Sequence, residues 1–414
     1  MLSISFIREN LDEVSAACKN KNRPADLDKI LELDKDNREL ITKVNDIRSQ
    51  KNLLAKTRGT EKDIEKGKQL KQELKKLELE QKQIETELNS LISQVPNIPY
   101  KEVPIGKDEK DNKEIKRHKE PPKFNFKPKS HLELIKLHDL ADLEKGTKVS
   151  GFRGYFLKKE LALLHFGLLW YVYLKMYQKG YVPLIAPSLV KGFTLFGSGQ
   201  FPWGKDEVYF LEKDNLYLAG TAEVPVTSYY SDQILTEKDL PKKFYAFSPC
   251  FRREAGSYGK DTKGLYRVHE FQKIEQVIIA EASDEQARKY HEELQGNVEE
   301  IVRDLDLAYR VLLMCTGDMG EPQAKKYDTE IWMPSRNGYG EAASNSIMTD
   351  FQARRLNIRY RDKDGQIKYC YTLNNTALAS PRILIALLEN YQNQDGSITI
   401  PKVLQPIIGI QKIG

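Results

Sequence analysis

Residues 27–96 carry a hydrophobic repeat with a period of 3.5, and few folds accommodate one. Positions alternating three and four apart read Ile30, Leu33, Asn37, Leu40, Val44, Ile47, Lys51 and Leu54, six of the eight being apolar. A second run reads Leu70, Leu74, Leu77, Gln81, Ile84, Leu88, Leu91 and Val95, seven of the eight being apolar. That spacing is the seam of a coiled coil. Pro96 closes the second run, since proline lacks the amide proton and clashes with the preceding turn. Thr57-Arg58-Gly59-Thr60 separates the runs as a turn, so the two helices fold back as an antiparallel hairpin. About 27 residues per helix at 1.5 Å each give an arm on the order of 40 Å long. Ahead of the arm, 5–21 reads as one short helix with Phe6, Ile7, Leu11 and Val14 on one side; Arg23-Pro24 ends it.

The arm's charge is uneven. Lys+Arg number 65 and Asp+Glu 60, a net of +5. Between Arg48 and Lys76, however, ten cations face four acids, and Arg48, Lys51, Lys56, Arg58, Lys62 and Lys66 crowd the tip. A solvated helical face carries such lysines as readily as a surface for a polyanion does, so both readings stay open from charge alone. Aromatic residues for base stacking are absent from the tip, so any nucleic acid held there is recognised by backbone and shape.

Four scattered cysteines (Cys18, Cys250, Cys315, Cys370) include no C-x-x-C pair, which indicates neither a disulfide framework nor a zinc cluster and suits a reducing compartment. The longest apolar run, 161–174, contains His165 and Gly167 and falls short of the roughly 20 residues needed to cross a bilayer. The opening MLSISFIRENLDEV has Arg8, Glu9 and Asp12 where a signal peptide needs an apolar stretch. The expectation is a soluble, cytoplasmic protein with no membrane partner.

Three regions follow: 1–100 with the coiled coil at about 27–96, a linker over 101–130, and a mixed domain over 131–414. Six of the eighteen prolines fall between 96 and 130, amid lysine-rich sequence, hence the linker. Beyond it a long helix covers roughly 158–178 and a strand follows at 182–185. A hairpin joins 208–211 to 216–219, longer strands cover 244–254 and 268–280, and a last helix starts at Ser380-Pro381. The fold class is α+β, a mainly antiparallel sheet flanked by helices with the helical arm in front.

The chemistry concentrates in Phe251-Arg252-Arg253-Glu254 and the sequence AGSYGKDTKGLYR that follows it. Arg252 and Glu254 stand two apart and would share one face of a strand, as a structural ion pair or as a site. The loop after them holds three glycines with Lys260, Lys263 and Arg267, far more than a hairpin needs. No P-loop, G-x-S-x-G or H-E-x-x-H occurs. Taken singly, other residues have plain alternatives. Thr221 suits a helix N-cap, Glu275 a surface carboxylate and Asn374-Asn375 a turn.

In combination, FRREAGSYGKDTKG resembles the second signature motif of class II aminoacyl-tRNA synthetases, and specifically of the seryl-tRNA synthetase family. Pro187 resembles the first motif, which builds the family's dimer interface. Thr221-Ala222-Glu223 resembles the serine-binding T-x-E segment. Glu341-Ala342-Ala343-Ser344 and the DFQARR of 350–355 resemble ATP-side segments, while Leu373-Asn374-Asn375-Thr376 and Arg382 resemble the third motif. The match runs through the whole chain, and the helical arm is the family's tRNA-binding element.

The resemblance implies a homodimeric serine–tRNA ligase. Such an enzyme activates L-serine with ATP and passes it to the 3′ end of tRNA(Ser); whether tRNA(Sec) is also served stays open. It implies Arg252 bridging the serine carboxylate and the α-phosphate as the catalytic residue. ATP would lie against Arg252, Arg253, Glu254, Val268, Glu341, Ala342, Ala343, Ser344 and Arg382, with Glu254 on the adenine and Arg382 on the γ-phosphate. Mg²⁺ would bind Glu341 and Ser344. Serine would lie among Thr221, Ala222, Glu223, Arg252, Glu275, Asn374 and Thr376. The zinc-dependent branch of the family needs a cysteine ligand and lacks the arm, so no zinc is implied. Three places depart from the pattern: Ile347 replaces an asparagine, Asn375 a glycine, and Phe201-Pro202-Trp203-Gly204 is atypical. The expectation is altered hydrogen bonding at Ile347 and a differently shaped turn at Asn375.

Overall fold

The computed structural model describes residues 1–56, 60–255 and 264–414, which form two compact units, Met1–Ile98 and Pro99–Gly414. The first unit is the hairpin: α1 (Leu27–Lys56) and α2 (Glu61–Ile92). Seam residues Val44, Ile47, Leu70 and Leu74 pack against one another in the outer half of the hairpin, with Leu54 and Leu77 beside them. Nearer the base, Ile30, Leu33 and Leu88 join Ile7, Val14 and Ile92 in a second cluster. Each such aliphatic side chain contributes about 1.5–3 kcal/mol when fully buried. Thr60 caps α2 in a capping box with Asp63, each side chain serving the other's backbone amide. The turn assigned to 57–60 otherwise lies outside the described residues, as does Arg58. The single helix expected over 5–21 is two, Ile4–Glu9 and Leu11–Asn20, broken at Asn10, whose side-chain amide donates to the Phe6 carbonyl at 3.1 Å.

The second unit is built on an eight-stranded sheet. Its members in chain order are β1 (Lys113–His118), β2 (Val182–Ile185), β3 (Lys242–Phe251), β4 (Glu270–Ala280), β5 (Tyr309–Leu313), β6 (Lys325–Met333), β7 (Gly338–Thr349) and β8 (Tyr371–Ala379). Across the sheet they run β1-β5-β6-β7-β8-β4-β3-β2, antiparallel throughout except for the parallel pair of β2 and β3. Helices α3 (Lys159–Gln178), α4 (Asp284–Asp304) and α5 (Ser380–Asn390) contribute buried residues to the principal core that includes this sheet.

The expected linker needs correcting. Within 101–130, β1 pairs with β5 as an edge strand, and its register slips between Glu114 and Lys116. Five of its six residues are exposed, so no in–out alternation betrays it. Charged side chains on an edge strand also discourage pairing with another chain. Asn375 is likewise no turn residue. It lies mid-strand in β8, fully buried, and its amide donates to the Leu294 carbonyl at 2.9 Å. Ile347 is buried in the core instead of taking part in a polar network.

One face of α3 stays uncovered. Leu163, Phe166, Trp170, Leu174 and Tyr177, spaced three and four apart, are exposed, and Ile185 on β2 is 80% exposed. A wholly apolar shallow cleft runs between Phe166, Trp170, Tyr173, Ile185 and Phe247.

Candidate active site

One polar cavity of about 210 Å³ opens over β4, β7 and β8. Strand alternation builds its floor. On β4, Phe271, Lys273 and Glu275 face it; on β8, Asn374 and Thr376 do, while Asn375 points the other way into α4. Glu275 and Thr376 are register partners, and the threonine hydroxyl donates to Glu275 Oε2 at 3.2 Å. Lys273 pairs with Glu275 and donates to Thr221 Oγ1 at 2.7 Å. Glu275 is 2% exposed, which overturns the surface reading. Thr221 does stand at a helix start: its hydroxyl accepts from the Glu223 amide at 3.1 Å, with Ala222 buried at the cap position of the short helix Glu223–Thr227.

Glu223 closes this end. Its Oε1 accepts from Asn374 Nδ2 at 2.9 Å and from Gln352 Nε2 at 2.8 Å. Burial, and then the nearby Glu275 charge, push its pKa up to about 7. A cationic ligand beside Glu223 favours the ionised form, so its affinity depends on pH with a definite sign. Below about pH 7 the carboxyl must shed a proton before it can bind an ammonium group; above it, the cost is gone. Affinity for a ligand that sets an ammonium group there is therefore expected to weaken about tenfold per pH unit below 7 and to level off above it. Calorimetry at pH 6 in buffers of different ionisation enthalpy checks this by the release of close to one proton. A flat affinity between pH 5.5 and 8 contradicts it.

The other end is cationic. Arg252 Nε donates to the Gly220 carbonyl at 3.2 Å, and the guanidinium lies 5.3 Å from the Phe271 ring centroid. The strand expected to reach Glu254 stops at Phe251; Glu254 has φ +53°, a left-handed turn that breaks the ladder. Glu254 still lines the cavity and pairs with Arg267 at 2.9 Å. Arg382, near the start of α5, donates to the Glu341 carboxylate at 3.0 Å and stacks on Tyr266 at 4.6 Å. Burial alone would raise the Glu341 pKa; Arg382 and then Lys326 hold it down at about 2. Val268, Ala342, Ala343 and Ser344 complete the expected lining.

Two of the expected residues and the DFQARR segment lie off the cavity lining. Arg253 is absent from the cavity wall; its guanidinium stacks on Tyr209 at 5.4 Å. Ala222 contributes position alone, being fully buried behind the wall. The DFQARR segment belongs to the Glu223 end and not to the cationic end. Gln352 holds Glu223, and Arg355 ties down the carbonyls of Phe196 and Phe201 at 2.9 and 2.7 Å. Residues 256–263 lie outside the described residues. Lys273, Phe271, Tyr266 and Gln352 went unrecognised in sequence. Two-residue spacing from Glu275 could have found the first two.

The sequence and the fold resemble those of known proteins. The family described as tRNA synthetase class II core domain (G, H, P, S and T) matches residues 209–391, and Seryl-tRNA synthetase N-terminal domain matches 1–99. A serine–tRNA ligase of Deinococcus radiodurans is 44% identical over 100% of this chain and 99% of its own. The crystal structure of seryl-tRNA synthetase from Pyrococcus horikoshii complexed with ATP superposes with a TM-score of 0.94 at 36% identity, covering 100% of this chain and 99% of that one. The chain belongs to the seryl-tRNA synthetase family. A second family structure, the cytoplasmic enzyme of Naegleria fowleri with AMP, gives a TM-score of 0.89 at 31% identity, covering 100% of this chain and 98% of that one. As a class II seryl-tRNA synthetase, the chain is an α+β protein of the ligase class.

Proposed function

We propose that this seryl-tRNA synthetase uses the cavity to join L-serine to ATP and then passes the seryl group to tRNA(Ser). The observation that carries the reading is the polarity of the cavity. Glu223 and Glu275, the latter paired with Lys273, mark one end, and Arg252, Arg267 and Arg382, the last two paired with Glu254 and Glu341, mark the other, which suits an amino group and a polyphosphate. Serine's ammonium group lies by Glu223 and Thr221, with Asn374 fixing the carboxylate, and its hydroxyl reaches Glu275 and Thr376. A site built around that hydroxyl rejects alanine, because buried polar groups would be left unpaired.

ATP lies toward Arg382, with its adenine by Glu254 and Val268 and its γ-phosphate on Arg382. A serine carboxylate oxygen attacks the α-phosphorus in line, the bond to the β-phosphate oxygen breaks, and pyrophosphate leaves. Arg252 neutralises the charge that grows on the α-phosphoryl oxygens, so catalysis is positioning plus electrostatics. The ribose hydroxyl of the tRNA end then attacks the seryl carbonyl, releasing AMP.

Glu341 and Ser344, three residues apart on β7 and both on the cavity lining, offer hard oxygen donors. The low pKa of Glu341 keeps it an anion, so the pair fits Mg²⁺. When bound, the ion supplies charge neutralisation on the phosphates. Among the described residues no cluster of three or more His, Cys, Asp or Glu suits a metal held by protein alone.

The basic arm tip, with Arg48, Lys51, Lys56, Lys62 and Lys66 all on the hairpin, reads the tRNA by its backbone. The uncovered face of α3 and Ile185 is the homodimer contact. Trp170→Glu together with Ile185→Glu should convert a dimer into a monomer in sedimentation at micromolar concentration; an unchanged mass rejects this surface. All four cysteines are buried free thiols, which supports a reducing, cytoplasmic setting. Charging of a tRNA(Ser) transcript with labelled serine tests the whole reading, and absence of ATP-dependent acylation overturns it.

A further inference from the structure

Glu389 lies on α5, seven residues after Arg382, nearly two full helical turns along and so on the same face about 10 Å away. It is fully buried, yet it reaches none of the cavity. Its carboxylate accepts four hydrogen bonds. Oε1 takes the His131 amide at 2.9 Å, His131 Nδ1 at 2.8 Å and the Ser335 hydroxyl at 2.7 Å; Oε2 takes the Ser335 amide at 2.9 Å. Burial raises the pKa of such an acid, but these donors, His131 first, hold it below the ordinary carboxylate range. The charge is therefore retained, and its bonds are the charge-assisted kind.

Each partner of Glu389 adjoins a wall of the cavity. Ser335 precedes Arg336, whose guanidinium lies 4.2 Å from the Tyr266 ring centroid, the same ring on which Arg382 stacks. His131 turns its other nitrogen onto Gly264. That Nε2 is buried with no hydrogen-bond partner among the described residues, and a Cβ added at Gly264 would stand 2.3 Å from it. Gly264 has φ +80° and leads into Leu265, Tyr266 and Arg267, the last of which pairs with Glu254. The acid therefore sits where the Arg336 turn, the Gly264–Arg267 segment and the helix bearing Arg382 all meet.

We infer that Glu389 is a positioning residue for the nucleotide half of the site, setting Arg336 through Ser335 and the Tyr266–Arg267 wall through His131. Serine's end of the cavity receives nothing from it, since Glu223, Lys273, Glu275 and Thr376 are anchored to one another and to Gln352. The inference rests on the ATP placement given above, and its signature is a selective one. In Glu389→Gln, Oε1 can keep its three donors while an NH₂ group meets the Ser335 amide, donor against donor.

Steady-state ATP–pyrophosphate exchange, normalised to active sites by burst titration, tests this on the full-length dimer. Glu389→Gln should raise KM for ATP about tenfold and leave KM for serine within about twofold. Ser335→Ala, which removes one bond, should raise KM for ATP about threefold, and it decides the matter if the glutamine variant does not fold. Unchanged KM for ATP in the folded variants, or equal rises for ATP and serine, overturns the inference. A wild-type enzyme with no serine-dependent exchange would instead overturn the placement of ATP itself.

Discussion

Replacing Arg252 with alanine should lower the rate of ATP–pyrophosphate exchange about 10³-fold, roughly 4 kcal/mol of transition-state stabilisation. Arg252 follows directly on the end of β3, is tethered by Nε to the Gly220 carbonyl and lies against Phe271, so its position is set by the sheet. It lines the same cavity as Glu223, Glu275 and Arg382. Lysine keeps the charge without the planar fork and should recover only part of the loss. Serine's KM should move far less than the turnover, because the charge that Arg252 is proposed to meet develops in the transition state. Exchange within tenfold of wild type in Arg252→Ala would remove it from the catalytic role.

The second large effect concerns the arm. Excising residues 37–81 and joining the helix ends with a short glycine-serine turn should leave pyrophosphate exchange within about twofold. Charging of tRNA should fall by more than about 100-fold. The deletion is tolerable because the base of the hairpin has its own core: Ile7, Val14, Ile30, Leu33, Leu88 and Ile92 remain packed. Replacing Lys51, Lys62 and Lys66 with glutamate should weaken charging in a graded way, and the charging rate of the intact enzyme should fall steeply with salt. Charging that survives the excision would contradict the role given to the arm.

How much of this was legible in sequence differs by element. The hairpin was readable because a 3.5 repeat leaves a one-dimensional trace, and Ile30, Leu33, Leu40, Val44 and Ile47 are buried as that repeat demands. Thr221, Glu223, Glu275, Asn374 and Thr376 could be assembled only by resemblance, since five residues on three elements share no local pattern. Strand β1 left no mark because an exposed edge strand has no alternation. The DFQARR segment was set on the ATP side, with Glu341, by resemblance alone, whereas Gln352 folds back onto Glu223. Glu389 was invisible for a similar reason. Its partners His131 and Ser335 are 258 and 54 residues away in sequence.

The net charge of +5 averages over these parts. The arm tip is basic, the cavity pairs acids with guanidinium groups, and the uncovered face of α3 is apolar. Each suits a different proposed partner: tRNA, the two small substrates and the second subunit.

The most direct measurement is amino-acid-dependent ATP–pyrophosphate exchange across all twenty amino acids. Serine alone should support rapid exchange, with alanine and threonine lower by more than about 100-fold, because the proposed placement has Glu275 and Thr376 pair with a hydroxyl in one position. No exchange with serine, or faster exchange with another amino acid, would contradict the account.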